Sequence, residues 1–407
     1  MMKNNFKKFA VAFTALVAIG SSTLVSCEKD STLTRESYIQ KVDAHVKGDT
    51  GNLNLNQNDR ELFAKSLATS FARAPQSYSE LNSAIHVVVG YGLDENLKLY
   101  DVLNTDNSVF LPSSCLVNTL RSAIKESIDL SEYGFTDNNY YGNLQLYWPY
   151  HDDWDTKTTP IICFAPENET AESVTGYYYE NGNVVSINVT AKSIDAGLFP
   201  VIIINKSETY YDDYPDFKNG EWGKNGIVWG KPLPILPFKP INDGSSSDNK
   251  VYEARSVSIT SSGTQYDNIW AGGSEFELQS IYAIDASHTQ VSSKARAEFS
   301  RKQIKNNETK NFGTQLHENW KPGLGNIHIR LTEDDDWGSI EPIVINLDVA
   351  GNTLSTTINI NSTDDIIFDS QYTRSNYFNR CNNHNGIFYL GTERVDCMLD
   401  IYDSYGD

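Results

Sequence analysis

The chain has 407 residues, with 53 acidic side chains against 33 lysines and arginines and a formal charge of −20. A field of that sign repels phosphate backbones, and no basic stretch with interleaved aromatics offsets it, so nucleic acid is set aside as a partner. The length exceeds what one ordinary hydrophobic core organises, and at least two domains are expected.

At the N-terminus, Lys3, Lys7 and Lys8 form a basic opening, residues 9–19 (FAVAFTALVAI) are uninterruptedly apolar, and small residues follow. The apolar run suits the hydrophobic region of an export signal and is too short to cross about 30 Å of hydrocarbon as a helix. It ends at Leu24-Val25-Ser26-Cys27, with an aliphatic residue and then a small one ahead of the cysteine. This resembles the lipobox of bacterial lipoproteins. The resemblance implies a diacylglyceryl thioether on Cys27, cleavage before it and acylation of the new N-terminus, making 1–26 a signal peptide and 27–33 a tether. An ordinary secretory signal with a chance cysteine is the plainer alternative. Lipid chains supply about 0.8 kcal/mol per buried CH₂ and hold firmly when there are several; no later stretch is apolar for long enough to span a bilayer. Glu28-Lys29-Asp30 looks like the export tags of surface-exposed lipoproteins of Gram-negative bacteria, although Lys29 interrupts its acidity. The implied address is the outer membrane, lipid-anchored at the cell surface, with the periplasmic leaflet as the alternative.

Next, a helix is expected over 35–47. Asn58 and Glu61 have capping-box spacing ahead of a stripe of Leu62, Phe63, Leu67, Phe71 and Ala74 that stops at Pro75. Ser77 and Glu80 repeat the spacing before a helix that buries Leu81, Ala84, Ile85 and Val88, and a third helix is expected at 116–126. The period then changes to strand alternation at 144–150, 159–164, 173–179, 183–190 and 199–205. Helices first and strands after predict an α+β domain over 34–240. Its last part, 207–240, is Pro-rich and irregular, and KPLPILPFKP favours an extended conformation.

Asp243-Gly244-Ser245-Ser246-Ser247-Asp248 reads as a linker at 241–250. From there nearly every segment alternates (257–260, 275–284, 326–331, 342–349, 353–360, 395–402), which predicts an all-β antiparallel sandwich over 251–407. With Cys27 lipidated, four cysteines remain. Cys115 and Cys163 lie in apolar runs and read as core thiols, while Cys381 and Cys397 bracket a short Gly-containing segment and are the candidate disulfide.

Signatures of catalysis are missing. His317-Glu318 lacks the second histidine of a zincin, neither GxSxG nor a P-loop is present, and each of the seven scattered histidines reads more simply as structural. The densest constellation is Tyr147-Trp148-Pro149-Tyr150-His151-Asp152-Asp153-Trp154-Asp155. Sugar sites need flat aromatic faces and carboxylates that accept from hydroxyls, so Trp148, Tyr150, Asp153, Trp154 and Asp155 are candidate ligand-binding residues, against a structural strand end. Asp153 and Asp155 could meet the spacing of a glycosidase pair, but neighbouring acids on one loop rarely split their pKa values as acid and base roles demand. Among the acidic runs, Asp334, Asp335 and Asp336 are candidate Ca²⁺ ligands at a turn of the sandwich, against a solvated acidic turn. These readings favour a lipid-anchored envelope protein that binds or adheres, with glycan capture as one form and an envelope protein as another partner. A hydrolase of glycans or peptides and a structural partner of an outer-membrane complex are the rivals.

Overall fold

The computed structural model describes residues 55–90, 95–103, 114–129, 144–167, 171–206, 228–229, 251–292, 294–334, 340–349, 351–362 and 364–402. The expected signal peptide, Cys27, the tether, the helix at 35–47, the linker at 241–250 and all of the Pro-rich segment but 228–229 lie outside them.

Helix α1 (Gln57–Arg73) starts where extended Asn56 accepts the Asp59 N–H through Oδ1 at 3.0 Å. The cap thus lies earlier than the expected Asn58, and Glu61 pairs with Lys65 at 3.1 Å instead of folding back. Phe63, Ala64, Leu67, Ala68 and Phe71 are buried, whereas Leu62 is 46% exposed because the stripe is centred one residue later than read. Helix α2 (Gln76–Gly90) buries Leu81, Ala84, Ile85 and Val88 as its periodicity predicts. Strand β1 (Asn96–Lys98), helix α3 (Leu99–Leu103) and helix α4 (Ser114–Ser127) follow. The second capping box is not formed. Ser77 is buried against Thr119 at 2.9 Å, and Glu80 reaches across to accept the Leu116 N–H at 2.8 Å, so it caps α4 rather than its own helix.

Strands β2 (Leu144–Tyr147), β3 (Ile161–Phe164), β4 (Ser173–Glu180) and β5 (Asn183–Thr190), helix α5 (Ala191–Asp195) and strand β6 (Val201–Lys206) complete this part. The sheet order is β1-β2-β6-β3-β4-β5, antiparallel throughout except for β3 beside β6. Helix α1 packs on β3 and β4, and α4 packs on α1. Val201 to Ile204 are all buried, as a fully covered strand requires.

The remainder is rich in strands: β7 (Val228–Trp229), β8 (Val251–Thr260), β9 (Ser274–Ala283), β10 (Thr289–Val291), β11 (Ala295–Phe299), helix α6 (Arg301–Lys305), β12 (Thr309–Trp320), β13 (Asn326–Glu333), β14 (Ile340–Val349), β15 (Asn352–Asn361), β16 (Asp365–Thr373), helix α7 (Arg374–Asn383), β17 (Ile387–Leu390) and β18 (Glu393–Tyr402). One sheet runs β16-β13-β9-β11-β7, with β10 also on β9, and a second runs β12-β8-β18-β17. A shared core joins them through Tyr252, Phe276, Phe299, Phe312, Trp320, Ile329 and Phe388. The architecture is therefore an α+β part followed by a sandwich-like, largely antiparallel β-rich part. β7, from the segment read as irregular, lies parallel to β11 at a sheet edge. The hairpin β14–β15 packs its own apolar face, Ile345, Leu347 and Ile358, onto Ile281 and Ala283. Between β17 and β18, Gly391 takes φ +67, and a Cβ there would collide with the Ile367 carbonyl.

Cys381 on α7 and Cys397 on β18 are both buried in this core as free thiols, so the expected disulfide is not formed. Each sulfur is taken up by apolar packing, and burial pushes both thiols above their ordinary range. Cys163 is buried as read, while Cys115 is half-buried and lies 3.3 Å from Ser77.

In the same core His317 is stacked between Tyr282, at 4.2 Å between centroids, and Trp320, at 4.9 Å. Burial pushes the imidazole down to about 3. Because that lies below the value of about 6.5 in an unfolded chain, the proton binds more readily after unfolding; the stabilisation is complete above pH 6.5 and is lost as pH falls toward 3. Urea unfolding at pH 6.5 and pH 5 is expected to show His317 contributing a loss of about 2 kcal/mol between them. His317→Phe removes that part of the slope; an unchanged slope in the variant contradicts the assignment.

Candidate functional site

The turn that follows β2 carries the residue types singled out in the sequence. Its start is fixed by the β1–β2 ladder, which sets Asn96 against Tyr147 and continues as a hydrogen bond from the Trp148 N–H to the Glu95 carbonyl at 3.3 Å. Tyr150 adopts φ 57 and ψ 30, a left-handed conformation that costs a non-glycine residue roughly 1 kcal/mol or more. That reversal leads into a short 3₁₀ turn, His151–Asp153, and gives the segment two working faces.

One face lines a cleft of about 400 Å³. Tyr150, Asp153, Trp154 and Asp155 contribute to it, together with Asp195 at the end of α5, Leu198 and Phe199 from the connection between α5 and β6, and Lys305 from α6. Helix α5 starts at a capping box on Thr190, which accepts the Ser193 N–H at 3.1 Å, and the connection beyond it turns at Gly197, φ +63. Trp154 is held by its indole N–H on the Thr158 carbonyl at 2.8 Å and by packing 5.2 Å from Trp148. Tyr150 donates to Asp195 at 3.1 Å, and Lys305 lies over its ring at 5.6 Å. Burial and the neighbouring Asp195 carboxylate raise the Tyr150 hydroxyl above its ordinary range, so it remains a donor.

The expected set is only partly assembled as a surface. Trp148 is fully buried and supports Trp154 from beneath instead of meeting a ligand. Asp153 is exposed and pairs with Lys302 at 2.7 Å. Asp155 accepts from the N–H groups of Thr158 and Lys157 and from the Thr158 hydroxyl, and these hydrogen bonds hold its carboxyl below the usual range. It closes the turn.

The other face joins residues that no pattern in the sequence links. The His151 ring is 1% exposed; its Nε2 lies 2.8 Å from Asp152 Oδ1 and its Nδ1 lies 3.6 Å from Oε1 of Glu95, itself 1% exposed. Burial raises the Glu95 carboxyl above its ordinary range, against the opposing influence of His151. From α2, Asn82 donates to the His151 carbonyl at 2.7 Å, and His86, one turn further on, places Nδ1 3.6 Å from the same Asp152 Oδ1. Residues 82 and 86 share a helix face by their spacing of four. That spacing is the signal available in the sequence, but its partner lies a sheet strand away.

Of the residues expected to bind Ca²⁺ after β13, only Asp334 is among those described. Asp334 is taken by Arg296 at 2.7 Å; burial would raise its carboxyl, but the arginine outweighs this and holds it below the usual range. Asp335 and Asp336 lie outside the described residues. Carboxylate oxygens of Asp267, Glu275 and Glu333 do come within 4.8 Å of one another, an arrangement of the hard oxygen donors that Ca²⁺ favours.

No protein-family model matches the chain, and no curated protein or solved structure is significantly similar to it. Function must therefore be argued from the site.

Asp155→Ala is expected to leave the fold intact and loosen the turn. Amide exchange at Lys157 and Thr158 should rise several-fold with little change elsewhere, and unchanged protection would deny Asp155 its part in the turn.

Proposed function

We propose that the chain is a lipid-anchored cell-envelope protein that binds a neutral carbohydrate in the cleft beside Tyr150 and Trp154. The cleft carries the reading: it combines aromatic and apolar surface with the carboxylates of Asp153, Asp155 and Asp195, the pairing that suits the apolar face and the hydroxyl rim of a sugar. The negative charge of the chain favours a neutral sugar over an acidic one. The anchor is supported by the order of basic, apolar and small residues ending at Cys27. Among the described residues no helix is long and apolar enough to cross a membrane. Outer-membrane placement at the cell surface is supported by the likeness of Glu28-Lys29-Asp30 to the export tags of surface-exposed lipoproteins.

Hydrolysis is the weaker alternative. A glycosidase acid must stay protonated near neutral pH, and Asp155 is held ionised by its own turn while Asp153 is matched with Lys302.

Two outcomes test the proposal. Cys27→Ala should abolish labelling by radioactive palmitate and release the protein from the membrane fraction; retained labelling refutes the anchor. On a glycan array the full chain should retain neutral oligosaccharides, and Trp154→Ala should weaken that binding roughly tenfold through lost stacking. An array without hits, or equal binding by the variant, refutes the cleft.

A further inference from the structure

His86, His151 and Asp152 bring one ligand atom each within 4.8 Å of the others, from two elements that are far apart in the chain. A four-coordinate zinc ion with bonds of about 2.0–2.1 Å needs its ligand atoms roughly 3.3 Å apart. The two separations to Asp152 Oδ1, 2.8 Å from His151 Nε2 and 3.6 Å from His86 Nδ1, bracket that value. Asp152 Oδ2 faces the other way and lies 3.5 Å from Lys302 Nζ, so the lysine engages the oxygen that the cluster does not use.

A second observation comes from behind the histidine. The His151 ring is enclosed, neither of its nitrogens makes a hydrogen bond of good geometry, and buried Glu95 Oε2 has no partner either. Leaving an imidazole and a carboxyl buried in this way costs free energy. A cation on Nε2 would fix the ring proton on Nδ1, directed at Glu95 Oε1, and a small approach from 3.6 Å would complete the bond. Metal-bound histidines are held by a carboxylate in this manner.

We propose that His86 Nδ1, His151 Nε2 and Asp152 Oδ1 bind one zinc-class divalent cation, with Glu95 orienting His151 from behind. Two imidazoles and one carboxylate suit zinc and its transition-metal neighbours, whereas Ca²⁺ and Mg²⁺ demand oxygen. His86 is 76% exposed and Asp152 39%, so the fourth position opens to solvent and admits water or a ligand atom. The bound ion would join α2 to the turn whose other face lines the cleft. The inference does not depend on the carbohydrate reading, because the metal titration contains no glycan.

The test uses the purified full chain without a histidine tag, stripped by chelator. Calorimetric titration with Zn²⁺ should show one saturable equivalent that excess Ca²⁺ and Mg²⁺ do not displace, and Co²⁺ should give the visible bands of a four-coordinate site. Glu95→Gln should weaken binding about ten- to a hundredfold, and His86→Ala and Asp152→Asn by more. Both of the latter alter exposed side chains, and unchanged melting in chelator confirms their folding. His288→Ala, at the exposed pair that His288 makes with Asp285, should leave affinity unchanged. The proposal is overturned if Zn²⁺ shows no saturable binding, if His86→Ala and Asp152→Asn bind as well as the parent, or if His288→Ala abolishes binding.

Discussion

Trp270 and Ile269 leave the β-rich part of the chain and are buried with Tyr147, Ile161, Val201 and Ile203 in the core of the α+β part. Burial of apolar side chains of this size is worth roughly 2–3 kcal/mol each. Polar contacts fix the docking: Asn205 donates to the carbonyls of Trp270 and Ala271 at 3.1 and 2.5 Å, Tyr147 donates to Gly272 at 3.1 Å, and the Trp270 indole donates to Ala171 at 2.9 Å. Tyr147 is the last residue of β2, so the same contact that joins the two parts also fixes where the functional turn begins. Further along, α6 carries Lys302 and Lys305 to that turn. The candidate site is thus a composite, complete only when the β-rich part is docked.

This explains which features were legible in the sequence. Helix α2 follows from local periodicity, and strand β6 from an uninterrupted apolar run that is buried on both faces. The long strand β12 does not. Its register shifts between Asn311 and Thr314, between Gln315 and His317, and again before Trp320, so inward residues fall out of alternation and the segment TKNFGTQLHENW gives no period from which a strand is expected. Helix α7 is polar along most of its length and is specified by its cap, where Thr373 accepts the Asn376 N–H at 3.2 Å. Capping-box spacing at Ser77 and Glu80 misled for a related reason: a glutamate can cap any helix whose start it reaches, and Glu80 reaches α4.

The functional turn divides in the same way. Its aromatics and acids are consecutive, and their composition marks them, although only the fold separates Trp154, which faces the cleft, from Trp148, which supports it. The metal-like cluster has no such local mark. His86 lies off the apolar stripe of a helix and His151 in a turn, and only the sheet order β1-β2, which sets Glu95 beside Trp148, and the α2–turn contact through Asn82 bring the group together.

Carboxylates of the β-rich part are met in more than one way: Glu393, fully buried, accepts from the Ser262 hydroxyl at 2.8 Å, while others are paired with cations. Arg296 lies between Glu298 and Asp334, Arg330 and His328 share Asp369, Arg255 meets Asp400, and Lys294 meets Glu277. Each of these carboxylates has a permanent cation, arginine or lysine, within 4 Å. Such pairs break even against desolvation only when the contact is direct. Glu95 is more deeply buried than any of these paired carboxylates, and it faces the His151 imidazole at 3.6 Å and the field of Arg301, with no arginine or lysine paired to it in direct contact. The charge of a cation bound at Nε2 would reach Glu95 through the ring, and the buried carboxylate would then be matched as those paired with arginine or lysine are.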